Sequence, residues 1–193
     1  MLSVFDDVCA AMADHWVIWG VCWGVTITLI AAAVIDGCKL KVPNWLTFPM
    51  IVGGWVASGL LFGWVGLGWS LLGTAVGLAL LLPAYAIGGM GAGDVKLLAG
   101  VGAWVGPGLT FWAFLVSAVV GGVIALVMVL FRRRWGHHKN QFLMILSEIL
   151  ILRDPEQLAK IAAERKSSMM LLPYGIPIAI GSIGYFAYMG LLL

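Results

Sequence analysis

Charge is what this chain has least of. Asp, Glu, Lys and Arg make up 10% of its 193 residues, while apolar residues make up 62%. Soluble domains carry about 25% charged residues, so a solvated globular enzyme is excluded and no nucleic-acid partner is expected. Cysteine is also scarce. Cys9, Cys22 and Cys38 are odd in number and form no CxxC pair, which argues against a disulfide framework or a zinc site. They read as small apolar residues, and neither a metal nor a cofactor is expected. The N-terminus lacks the basic stretch of a secretory signal and carries Asp6, Asp7 and Asp14 instead. The first apolar segment is therefore expected to stay in the mature protein.

What is abundant fits a lipid bilayer. The 26 Gly and 10 Trp suit helices that pack closely in lipid and anchor at its interfaces. Apolar runs place spans at about residues 16–35, 45–63, 67–87, 95–106, 109–131 and 171–193. Pro49 is expected to kink the second. The fourth reaches only about 18 Å at ~1.5 Å per residue, short of a ~30 Å hydrocarbon core. Charge placement decides that it crosses. Every Lys and Arg is at 39, 41 or 96, or between 132 and 166. Six crossings with the N-terminus outside put all of them in the cytoplasm, as the positive-inside rule prefers; five would export the densest group.

The expected fold is an all-α polytopic membrane protein, a single membrane-embedded domain over 1–193. It has six transmembrane helices, an outside N-terminus and a basic cytoplasmic section at 132–170 before the last helix. Within that section FLMILSEILIL, with Ser147 and Glu148, is too short to cross and reads as interfacial. Asp154-Pro155-Glu156-Gln157 has the pattern of a helix start.

Two carboxylates sit at span boundaries. Asp36 closes the first apolar run, and Asp94 follows the glycine-rich stretch GGMGAG at 88–93. An ionisable group at a membrane boundary is a functional-site candidate by default. The topology puts both at the cytoplasmic level, although 58 positions (94 minus 36) separate them. A helix N-cap role accounts for Asp94 alone. Asp36 ends a helix, where the macrodipole disfavours negative charge, and Gly37 suffices as a stop. Together they read as a working pair. Two close carboxylates share a proton over a working pH range, which suits hydrolysis: one takes a proton from water, the other polarises a carbonyl. The helix-start position makes Asp94 the expected base and Asp36 the acid.

Other features have plainer readings. Lys96 either biases the pair or contacts a substrate carbonyl, or is an inside-facing anchor. His137-His138 reads as a solvated face, and Arg132–Arg134 as an orientation signal. From another class, a small ion- or proton-coupled transporter with Asp36 and Asp94 at a broken helix is the rival. A non-catalytic pilus or secretion assembly subunit is a third reading.

Gly91-Ala92-Gly93-Asp94, followed by Val95-Lys96, resembles the GxGD motif of type IV prepilin leader peptidases. Asp36 with Lys41-Val42-Pro43-Asn44 and Trp45-Leu46-Thr47 resembles that family's first aspartate motif, and Pro173-Tyr174-Gly175-Ile176-Pro177 its turn into the last span. The resemblance implies a six-helix aspartyl protease of the bacterial inner membrane that removes short basic leaders from pilin or pseudopilin precursors at the cytoplasmic face. Asp36 and Asp94 would be catalytic, and Gly91 and Gly93 would shape the loop and let an extended substrate backbone approach. The larger members' paired CxxC insert is absent from this sequence, so their methyltransferase activity is not carried over. The size is similar to the short branch that processes Flp-type (Tad) pilins.

Overall fold

The computed structural model describes residues 15–86, 89–131 and 173–192. Within them the regular elements are helices: α1 (His15–Lys39), α2 (Asn44–Ala86), α3 (Ala92–Phe131) and α4 (Gly175–Tyr188). The first three are long and apolar enough to cross a membrane, and the fourth is apolar but shorter. The N-terminal tail and the basic section, with Arg132–Arg134, His137-His138, Glu148 and the 154–157 helix start, lie outside the described residues.

α2 and α3 are each two helical arms joined at one glycine. Gly63 has φ 63°, ψ −150° and Gly106 has φ 77°, ψ 176°. Trp55 Nε1 donates to Thr74 Oγ1 at 2.9 Å, yet nineteen residues of straight helix would hold them about 28 Å apart. α2 therefore folds back on itself. α3 does the same: Tyr174 packs on Gly121 and lies within electrostatic range of Asp94, two positions that a straight helix would hold about 40 Å apart. The gaps expected between spans, after residue 63 and after residue 106, are thus reduced to breaks at Gly63 and Gly106. At both glycines a Cβ would meet nothing within 4 Å, so backbone conformation, not space, calls for glycine there. The backbone stays helical through Pro49.

The arm of α3 before Gly106 is the centre of the bundle. Leu97, Leu98, Ala99, Val101 and Ala103 are at most 1% exposed. A helix that is apolar all round belongs in such a place. At fourteen residues, 92–105, it is only about 21 Å long, but the other arms sheathe it. Lipid tails give helices no hydrophobic reason to associate, so close backbone contact does the holding. A methyl at Gly73 would collide with Gly102 O, and one at Gly77 would sit 2.6 Å from Leu98 O. Ser70 Oγ donates to Ala103 O at 2.5 Å on the same seam. On another side, Gly54 abuts Ala103, and Trp104 Nε1 donates to Met50 O at 2.8 Å. α4 closes the bundle, its Gly181 pressed against Ser117 of the second α3 arm.

Two boundaries differ from expectation. α1 does not stop at Asp36: Leu40 N–H donates to Asp36 O at 2.7 Å, so the ladder continues through Gly37, and the chain turns at Leu40 with φ 51°. α4 is shorter than 171–193. It ends in a Schellman motif, with Leu191 N–H on Phe186 O, Gly190 N–H on Ala187 O, and Gly190 at φ 70°.

Gly73→Ala should lower the midpoint of thermal unfolding in detergent, since overpacking costs about 1–3 kcal/mol. Gly68→Ala, whose new methyl meets nothing within 4 Å, should hold or raise it. Equal midpoints for the two variants would show that the glycine seam does not hold the bundle.

Candidate active site

The last turn of α1 and the first turn of α3 meet at one end of the bundle, and each carries an acid. Asp36 is 3% exposed and Asp94 is 6% exposed. Both line one cavity of about 400 Å³, within electrostatic range of each other. A water molecule takes about 30 Å³ of liquid volume, so the cavity has room for water and an extended peptide.

Each acid is held by a glycine N–H. Asp36 Oδ2 accepts from Gly175 at 2.8 Å, a bond from α1 to the start of α4. Asp94 Oδ2 accepts from Gly91 at 3.1 Å. With Gly91 just before α3, Asp94 is the third helical residue, not the N-cap, and reaches back to the cap N–H as the acid of a capping box does. That local role occupies one oxygen. Asp94 Oδ1 is buried and has no hydrogen-bond partner among the described residues.

The glycines are needed by this chain's own atoms. A methyl on Gly93 would sit 2.7 Å from Val42 O and 2.9 Å from Val42 Cβ. Gly93 thus lets α3 close on the segment that leads into α2, and the space expected for a substrate backbone is filled by Val42. A methyl on Gly91 would come within 3.2 Å of Asp94 Oδ2, and one on Gly175 within 2.9 Å of Asp36 Oδ2. Gly175 was not among the site residues expected from sequence. Its signal was present in Pro173-Tyr174-Gly175-Ile176-Pro177, where two prolines fix a turn at a helix start. Tyr174, beside it, lies within electrostatic range of Asp94, and the turn's hydrogen bond goes to Asp36.

Lys96 lines the same cavity. Its Nζ donates to Asn44 Oδ1 at 3.0 Å and lies 4.7 Å from the Phe48 ring centroid. It ties the first turn of α3 to the first turn of α2. Among the described residues no group of three or more His, Cys, Asp and Glu side chains is placed to hold a metal. Two carboxyls that line one cavity large enough for water have the groups needed to share a proton and to exchange another with water.

Comparison with known proteins bears on the family of the chain. A model of the type IV leader peptidase family matches residues 23–126, more than half of the chain. The chain is 34% identical over 132 residues to a prepilin leader peptidase/N-methyltransferase of Aeromonas salmonicida, covering 64% of this chain and 44% of that protein. A protein of the same description from Neisseria gonorrhoeae is 36% identical over 115 residues, or 54% of this chain and 38% of its own length. The chain thus spans less than half the length of the curated relatives it matches. No solved structure matches it.

Asp94→Asn should raise the unfolding midpoint at pH 8 by a few degrees, about 1 kcal/mol or more, because it removes a poorly compensated buried acid. Differential scanning of tryptophan fluorescence reads this. A midpoint several degrees lower would mean that the carboxylate stabilises the fold.

Proposed function

The chain belongs to the type IV leader peptidase family, and from that premise we propose that it is a membrane aspartyl endopeptidase. It cuts the short basic leader from pilin-like precursors at the cytoplasmic face. Asp36 and Asp94 are its catalytic pair. The observation that carries this is the shared cavity: acids from α1 and α3 line one pocket of about 400 Å³.

Asp94 Oδ1, the oxygen with no hydrogen-bond partner among the described residues, takes a proton from water. Asp36, whose Oδ2 is occupied by the Gly175 N–H, holds the shared proton on Oδ1 and hydrogen-bonds the scissile carbonyl. Water adds to that carbonyl, and on collapse the C–N bond breaks and the leaving amine takes a proton from the pair. No charge has to leave the pocket during the cycle. Gly91, Gly93, Gly175 and Lys96 are positioning residues: the glycines fit the acids to the backbone, and Lys96 with Asn44 fixes α3 against α2.

The same proposal makes the six arms six crossings, with the N-terminus outside and the basic section inside, in a bacterial inner membrane. The folding back of α2 and α3 supports it, because each then leaves and re-enters on one side. A precursor with a basic leader and an apolar helix would lie in the bilayer with its leader in the cytoplasm, and its junction would meet the acids' level. The relatives' descriptions pair the peptidase with an N-methyltransferase; only the peptidase is proposed here. The transporter alternative is not favoured, since both acids lie at helix ends beside backbone turns, away from the middle of the bundle.

Co-expression with a pilin-like precursor should yield a shortened product. Asp36→Asn and Asp94→Asn should each lower cleavage by about 1000-fold or more, since paired catalytic groups act as a unit. The wild-type pH profile should be bell-shaped, with two apparent pKa values belonging to the pair. An intact precursor with the wild-type protein, or cleavage retained in either variant, would refute the proposal.

A further inference from the structure

The turn that leaves α1 holds a residue that the catalytic pair does not explain. Leu40 has φ 51°, and among the described residues it is the sole non-glycine with positive φ. Left-handed backbone brings a Cβ against its neighbouring carbonyl, and helix ends that need it ordinarily use glycine. The turn itself does not need leucine. Its hydrogen bond, Leu40 N–H to Asp36 O at 2.7 Å, is one that any residue except proline makes. Nor is the side chain stored in the core: it is 53% exposed.

Leu40 lines the cavity that holds Asp36 and Asp94. Lys41, Asn44 and Lys96 give that cavity polar walls, and Leu40 adds an exposed branched apolar group. Strain of this kind persists where the surrounding fold imposes it, and it concentrates at ligand-binding positions. We propose that Leu40 is a specificity residue that touches the substrate, packing against an apolar side chain next to the cut bond. This deepens, and rests on, the peptidase activity proposed above. The residue it recognises is aliphatic or aromatic, as the first residue of an apolar helix following a polar leader would be. The backbone strain at position 40 is the cost of holding an apolar surface four residues beyond Asp36, over the open cavity.

The test separates contact from architecture. Wild-type protein, Leu40→Gly and Leu40→Met are reconstituted in lipid vesicles with two synthetic precursors, carrying Leu or Ser directly after the cut. Glycine suits the left-handed turn, so Leu40→Gly should unfold at no lower temperature than the wild type. On the Leu precursor its kcat/KM should fall about tenfold, the scale of a lost apolar contact, with the loss in KM and kcat within twofold. On the Ser precursor the same variant should lose less than twofold, and Leu40→Met should recover most of the activity on the Leu precursor. An unchanged kcat/KM for Leu40→Gly, a loss in kcat alone, or an equal loss on both precursors would overturn the assignment. Failure of the wild type to cut either precursor would refute the peptidase activity itself, a result distinct from these.

Discussion

A carboxylate inside an apolar bundle must be given hydrogen-bond donors, and here the donors are glycine N–H groups. Gly175 serves Asp36 and Gly91 serves Asp94. Buried polar groups are costly when left unmet, so each acid can sit only where a helix begins or breaks and an N–H is free. This places both acids at helix ends and brings α4 against α1. It also sets the residue type: at positions 91 and 175 even one methyl group would crowd the carboxylate.

The same need for closeness runs through the bundle. Gly73, Gly77 and Gly102 let the central arm of α3 touch its neighbours backbone to backbone, replacing a hydrophobic driving force that lipid does not provide. Gly93 extends this packing to the cavity by accepting Val42. A structural seam and a candidate catalytic loop are therefore built by one device. Because the central arm is sheathed, it need not match the bilayer thickness, and its short length leaves room for an open cavity at one end.

The cavity contains two kinds of tension. One oxygen of Asp94 is buried without a hydrogen-bond partner among the described residues, and Leu40 holds a backbone conformation that disfavours its side chain. The proposed chemistry gives each a use: water would meet the oxygen, and an apolar substrate side chain the leucine. Lys96, on the same pocket, is engaged within the protein by Asn44 and Phe48.

The sequence by itself determined the helical, membrane-compatible character of the chain, because composition and apolar run length settle that without tertiary detail. It also singled out Asp36 and Asp94, since ionisable residues are conspicuous where charge is rare, and Gly91 and Gly93 beside them. Tertiary structure decided how those residues are used. Which atom fills the space beside Gly93, that Gly175 donates to an acid 139 positions away, and that α1 runs on to Lys39 all depend on contacts between segments remote in sequence. The left-handed turn at Leu40 was equally unreadable, because leucine carries no local signal for that conformation and only the surrounding fold imposes it.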